Sequence, residues 1–164
     1  NIPLITDSLA WTDLNTPGYC WYNNDSVKYA DTYGALYNWY TVETGDICPL
    51  GWHVPSDSEW TTLAEYLGGR SFAGGKLKGS GTAYWIEPNT GATNETGFTA
   101  LPGGGRNIYA AFSAVGNAGI WWSDTENESD SDFAWVRDMV FNSSDLNRYS
   151  YVKRHGSSVR CIKD

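Results

Sequence analysis

Apolar residues recur at Trp60, Leu63, Ala64 and Leu67, a spacing of i, i+3, i+4 and i+7 that makes one stripe on a helix over 57–67. Its start is written in side-chain chemistry. Pro55 halts an extended segment, Ser56 can accept from the Glu59 N–H, and Glu59 can reach back to the Ser56 N–H, which is a capping box. Gly68-Gly69 supplies a left-handed end. A helix before it is predicted from Asp31 to Gly45, with Tyr33, Leu36, Tyr37 and Tyr40 on one face and Trp39 beside them. Residues 1–19 show no strong period, and Tyr19–Tyr22 reads as a short strand ended by Asn23-Asn24-Asp25. Beyond Gly69 the periodicity predicts no further helix. Extended runs are expected at Phe98–Pro102, Gly119–Ser123, Phe133–Phe141 and Ser157–Ile162, with a weaker one at Asn147–Val152. Two helices followed by short strands and long loops predict an α+β domain with a small, mainly antiparallel sheet.

Composition sharpens this picture in three places. Nine Trp and eleven Tyr against five Phe give an aromatic-rich chain whose polar-tipped rings suit a binding surface or a core short of aliphatics. A net charge of −8 argues against a polyanionic partner, so nucleic acid is excluded as a ligand class. No apolar run approaches the ~20 residues of a membrane span. The chain does not begin with Met and is expected to be a processed or truncated form. Gly74-Gly75-Lys76-Leu77-Lys78-Gly79 lacks the spacing of a phosphate-binding loop and reads as a turn. Cys20, Cys48 and Cys161 form no C-x-x-C pair, and His53 and His155 stand apart, which argues against zinc. The cysteines alone leave two readings open: one disulfide with a leftover thiol, or three reduced thiols. His53, between Trp52 and Val54, reads as a packed structural histidine, and His155 as part of a turn.

Several linked motifs then occur in an order that resembles the Fibrobacter succinogenes major paralogous domain. They are Tyr19-Cys20-Trp21-Tyr22-Asn23-Asn24-Asp25, Tyr33-Gly34-Ala35-Leu36-Tyr37-Asn38-Trp39-Tyr40, Gly51-Trp52-His53-Val54-Pro55, Gly97-Phe98-Thr99-Ala100-Leu101-Pro102-Gly103-Gly104, Trp121-Trp122-Ser123 and Ser158-Val159-Arg160-Cys161. The resemblance covers nearly all of residues 1–164, read as a single domain expected to lack its first strand. It implies a bacterial secreted or cell-surface domain. The helix, GWHVP and capped-helix order is also similar to the formylglycine-generating-enzyme branch of the C-type lectin-like fold. That likeness implies two helices clasping a small twisted sheet, with long loops on one side carrying binding. It also brings the chain ends together, pairing Cys48 with Cys161 and leaving Cys20 reduced. The oxidase of that enzyme family uses two late cysteines, whereas only Cys161 lies late here, so no such activity is expected.

The expected function is recognition or adhesion toward a glycan or surface protein, without catalysis. A structural subunit of a surface fibre or layer, with self-association, and an enzyme of unknown type are the competing classes. Alternation puts Asn147, Tyr149 and Tyr151 on one side of a strand and Arg148 and Ser150 on the other. With Asn107 and Tyr109 from the glycine-rich loop, these are the expected ligand-binding residues, because tyrosine beside asparagine and serine is the chemistry of adaptable binding surfaces. The acidic run from Asp124 to Asp132 offers Asp124, Glu126, Asp130 and Asp132 as calcium ligands, hard oxygens at close spacing, though without the order of a known calcium loop. No other cofactor is expected. A cluster of exposed Tyr and Asn would favour recognition, carboxylates in a cleft an enzyme, and an exposed edge strand assembly.

Overall fold

The capping box forms as its chemistry requires. In the computed structural model, which describes residues 1–164, Glu59 N–H donates to Ser56 Oγ (3.2 Å) and Ser56 N–H donates to Glu59 Oε2 (2.8 Å). They open helix α4 (Asp57–Tyr66). Before it the chain makes α1 (Ser8–Thr12), β1 (Tyr19–Cys20), α2 (Ser26–Tyr33), β2 (Leu36–Tyr37), α3 (Trp39–Glu43) and β3 (Trp52–His53). After it come α5 (Arg70–Leu77), β4 (Gly103–Arg106), β5 (Phe112–Val115), β6 (Ala118–Glu126), β7 (Phe133–Val140), β8 (Asn147–Val152) and β9 (Ile162–Lys163). Five strands form the main sheet in the order β5-β4-β6-β7-β8, with β4 parallel to β6 and every other pair antiparallel. Two small ladders, β1-β2 and β3-β9, tie the first part of the chain together and fasten the GWHVP segment to the C-terminal strand. The architecture is α+β.

Three expectations need correction. The single helix from Asp31 to Gly45 is two helices with a strand between them. Asp25 caps the first and Asn38 the second, each through its side-chain oxygen. Gly34, at φ +72°, turns the chain out of α2, and Leu36-Tyr37 then pairs with β1 and with Ser157. Second, helix α5 occupies the segment read as a turn. Its glycines permit close approach: a Cβ on Gly74 would lie 2.1 Å from Asp145 O, and one on Gly75 would lie 2.5 Å from Gly91 O. Third, the strand expected at Phe98–Pro102 begins only at Gly103, and the Ser157–Ile162 run is a series of single bridges before β9. Helix α1 had no signal in the periodicity, yet it buries Trp11 completely.

The main sheet is covered on both faces, and the period of two along β6 decides which side chain goes where. Ile120 and Trp122 pack with Trp39 and Val42 of α3, while Trp121 packs with Trp60 of α4 and Leu77 of α5. The tryptophans therefore serve mainly as core, at about 1.5–3 kcal/mol for each large side chain buried. Three of their polar tips are paired: the Nε1–H groups of Trp39, Trp85 and Trp122 donate to Ser123 O, Ala100 O and Tyr37 O at 2.8–3.0 Å, whereas those of Trp11, Trp60 and Trp135 are buried without a partner. Cys48 and Cys161 form a disulfide, with Cα atoms 5.8 Å apart. Cys20 is a buried free thiol, pushed up to about 11 by that burial.

Candidate functional site

Strand β8 is the last strand of the main sheet, so one of its edges has no neighbour. Its register against β7 sets Asn147 opposite Asp138, Tyr149 opposite Val136 and Tyr151 opposite Ala134. These residues share one face, and Arg148 and Ser150, opposite Arg137 and Trp135, take the other, as alternation predicts. That face is not uniformly open. Val136 and Ala134 are fully buried, and Tyr151 packs against the same cluster, its ring 4.7 Å from that of His155. Tyr151 is thus half-buried, a correction to the expectation of two exposed rings, and burial pushes its phenol pKa up. Tyr149 is 49% exposed. Asn147 is not free either, because its Nδ2–H donates to Asp138 Oδ1 (2.8 Å), and burial holds that carboxyl above the usual range.

The second contributor is the turn after β4. Arg106, fully buried and stacked over Trp11 and Phe112, donates from Nε to Ala110 O and fixes the turn from beneath. Asn107 Oδ1 accepts from the Tyr109 and Ala111 N–H groups at 2.9 and 3.0 Å, which leaves the Tyr109 ring projecting, 79% exposed. Asn107 and Tyr151 then meet in one shallow recess of about 260 Å³, together with Ile108, Phe133, Ser150 and His155. The imidazole of His155 is largely enclosed there; its Nδ1 lies 3.0 Å from the buried Ser157 Oγ, and burial pushes its pKa down to about 4. Of the five expected ligand residues, two converge in the recess, Tyr109 and Tyr149 stand exposed beside it in the chain, and Asn147 is tied to Asp138.

The acidic run divides. Asp124 and Glu126 lie on β6; Glu126 pairs with Lys153, Asp124 accepts from Thr125 Oγ1, and Asp130 accepts from the Asp132 N–H. No group of three or more His, Cys, Asp or Glu side chains is gathered for a metal. His53, expected in the core, has a ring 39% exposed, with Nδ1 2.7 Å from Asp164 Oδ1 and Nε2 3.0 Å from Glu59 Oε1. Bonds to Asp164 and then Glu59 raise its pKa, since each nitrogen meets a carboxylate only when protonated.

Two features had no signal in the sequence. Asp57, the first residue of α4, accepts from Arg148 Nε at 3.0 Å and pairs with Arg137, a contact between residues distant in the chain. Burial alone would raise the Asp57 carboxyl; Arg148 and Arg137 overcome it and hold it below its ordinary value. Beside this cluster Arg70, Arg137 and Arg148 line a recess of about 240 Å³ floored by Ala64 and Leu146. The largest recess, about 390 Å³, is an apolar cleft on the other side of α4, between Leu63, Tyr66, Phe98 and Ile162.

The family model for the Fibrobacter succinogenes major domain matches residues 1–163, and the chain belongs to that family. No curated protein and no solved structure matches it.

Proposed function

We propose that this is a recognition domain of the bacterial cell surface or exterior, built on a C-type lectin-like frame, that holds a glycan or protein ligand without catalysis. The observation that carries the reading is the convergence of Asn107 and Tyr151 in one recess, with Tyr109 and Tyr149 exposed two positions along the chain from them. Rigid aromatic area beside short hydrogen-bonding side chains suits such binding at low entropic cost. The Cys48–Cys161 disulfide supports an oxidising compartment. An array of glycans and surface proteins tests this. Tyr109→Ala with Tyr149→Ala should weaken any ligand found by about 2 kcal/mol per ring, leaving the melt unchanged. A double variant that binds like wild type overturns the reading. The free edge of β8 favours a second reading, a subunit of a surface fibre or layer, which would show as concentration-dependent self-association.

A further inference from the structure

The outer edge of β8 is open over a defined stretch. Lys153 N–H donates to Asp132 O, which makes that pair a hydrogen-bonded one. With the β7-β8 register, Tyr151, Tyr149 and Asn147 must then bond inward to β7, while Arg148, Ser150 and Val152 turn their backbone groups outward. At one end the protein covers this edge itself, since Leu146 N–H donates to Arg70 O. At the other end Val152 O accepts from His155 N–H. Between them the N–H and C=O of Arg148 and Ser150, and the N–H of Val152, have no partner. A sheet edge of this kind is a template for one more strand.

Charge selects the kind of strand. On the Arg148 face lies the recess lined by Arg70, Arg137 and Arg148, with Glu65 in its wall and Asp57 paired to Arg137 and Arg148. Arg137 is satisfied by Asp57 and Thr61. Arg148, with a side chain 41% exposed, spends Nε and Nη2 on Asp57 and keeps Nη1 free. Arg70 is exposed and makes no ion pair. Unpaired Arg70 and the open Nη1 of Arg148, which is stacked on Trp135 and shares the one Asp57 carboxylate with Arg137, leave a local excess of positive charge beside an open edge on a chain of net charge −8. A second copy pairing through its own β8 edge would set one arginine recess against another, like charge against like.

We infer that the β8 edge docks an extended, acidic segment of a partner protein, added as a sixth strand with a carboxylate in the arginine recess. The inference rests on the recognition reading of this face and names its partner. Alternate residues of the added strand share the face of Arg148 and Ser150, so the segment carries its acids at every second position.

NMR titration of the ¹⁵N-labelled domain tests it. The probes are a short capped peptide alternating glutamate and valine, its lysine-for-glutamate counterpart, and the glutamate peptide N-methylated at alternate amides. At millimolar peptide the glutamate probe should shift the Arg148, Ser150 and Val152 amides and slow their hydrogen exchange. The lysine probe should bind about tenfold more weakly or worse, and the N-methylated one should not bind. Ser150→Pro should abolish binding with an unchanged melt, because that N–H lies outside the ladder and proline is tolerated on an outward edge. Arg70→Glu, which breaks no ion pair, should weaken binding about tenfold. The inference is overturned by an absence of shifts at these amides, by equal binding of both charges, or by Ser150→Pro binding as wild type. Slowed exchange with rising protein concentration and no peptide would assign the edge to self-association and overturn it too. A ligand from the array that survives Ser150→Pro but is lost with Tyr109→Ala and Tyr149→Ala refutes the docked strand alone, whereas a ligand indifferent to all three refutes the recognition face as well.

Discussion

Lys78 is fully buried, and its Nζ donates to three backbone carbonyls, Thr90 O at 3.0 Å, Val140 O at 3.0 Å and Ser143 O at 2.8 Å, with the Trp85 ring 5.3 Å away. No carboxylate pairs with it, and burial pushes its pKa from 10.5 down to about 8. That displacement corresponds to about 3 kcal/mol of penalty on the charged form. Lys78→Met removes the penalty but leaves three carbonyls dry, at roughly 1–3 kcal/mol each. The net expectation is a loss of about 3 kcal/mol at pH 7. The pH dependence identifies the cause. Below pH 8 both states hold the proton and the full penalty is present. Between about 8 and 10.5 the unfolded chain binds more protons than the native one, so wild-type stability rises with pH, by up to about 1.4 kcal/mol per unit. The variant lacks that slope, and titrations common to both proteins cancel in the difference. Urea melts of the two at pH 7, 8, 9 and 9.5 should therefore show a gap that widens with pH. A gap independent of pH would refute the desolvated ammonium, and a variant as stable as wild type at pH 7 would refute the carbonyl cage.

The Cys48–Cys161 bridge spans a separation of 113 residues, so reduction, or Cys48→Ala with Cys161→Ala, should destabilise by about 4–5 kcal/mol in urea melts. Cys20→Ala should keep most of the wild-type stability. The two histidines should act in opposite directions. His155, held near 4 by burial, contributes stability that is complete above the ordinary histidine pKa of 6.5 and is lost as pH falls toward 4; His155→Gln should flatten that limb of the profile. His53, raised by Asp164 and Glu59, contributes stability that is complete below 6.5 and is lost as pH rises through its higher native pKa, so an NMR titration showing His53 below 6.5 would refute the double carboxylate clasp.

What the sequence made legible follows the range of each interaction. The Ser56 cap needs only residues three apart, and it forms as read. Alternation along β8 is likewise local, and Arg148 and Tyr149 take opposite faces. Alternation does not say which face meets the core, however, and Val136 and Ala134 beneath Tyr149 and Tyr151 supply that from another strand. Tyr33, Leu36, Tyr37 and Tyr40 do fit a helical spacing. The pairing of Leu36 with Cys20 and the exchange of backbone bonds between Tyr37 and Ser157 override it. Gly74 and Gly75 read as breakers because local propensity disfavours glycine in a helix by about 1 kcal/mol, while contact with Asp145 O and Gly91 O admits nothing larger. The arginine recess gathers positions 70, 137 and 148, the last two sharing Asp57, a juxtaposition no spacing rule can reveal.

Where the face attaches to the core bears on what can change without unfolding it. β7 carries the anchoring: Ala134 and Val136 are fully buried, and Arg137, 3% exposed, fastens the sheet to α4 through Asp57. β8 is held to it by inward backbone bonds that any side chain permits, by the Tyr151 ring and by the Asn147–Asp138 bond. Arg106 holds the neighbouring turn through backbone carbonyls, so its grip does not depend on the side chain at position 109. Tyr109 and Tyr149 therefore sit on a fixed frame while contributing little to it. Substitutions there should stay within about 0.5 kcal/mol of wild-type stability, while Tyr151→Ala should lose several times that by opening space over Ala134 and Val136. A surface whose contact residues are energetically separate from its scaffold can change its ligand without risking its fold. That separation is the physical requirement of a recognition domain, and the tyrosines of this face meet it only at the two exposed positions.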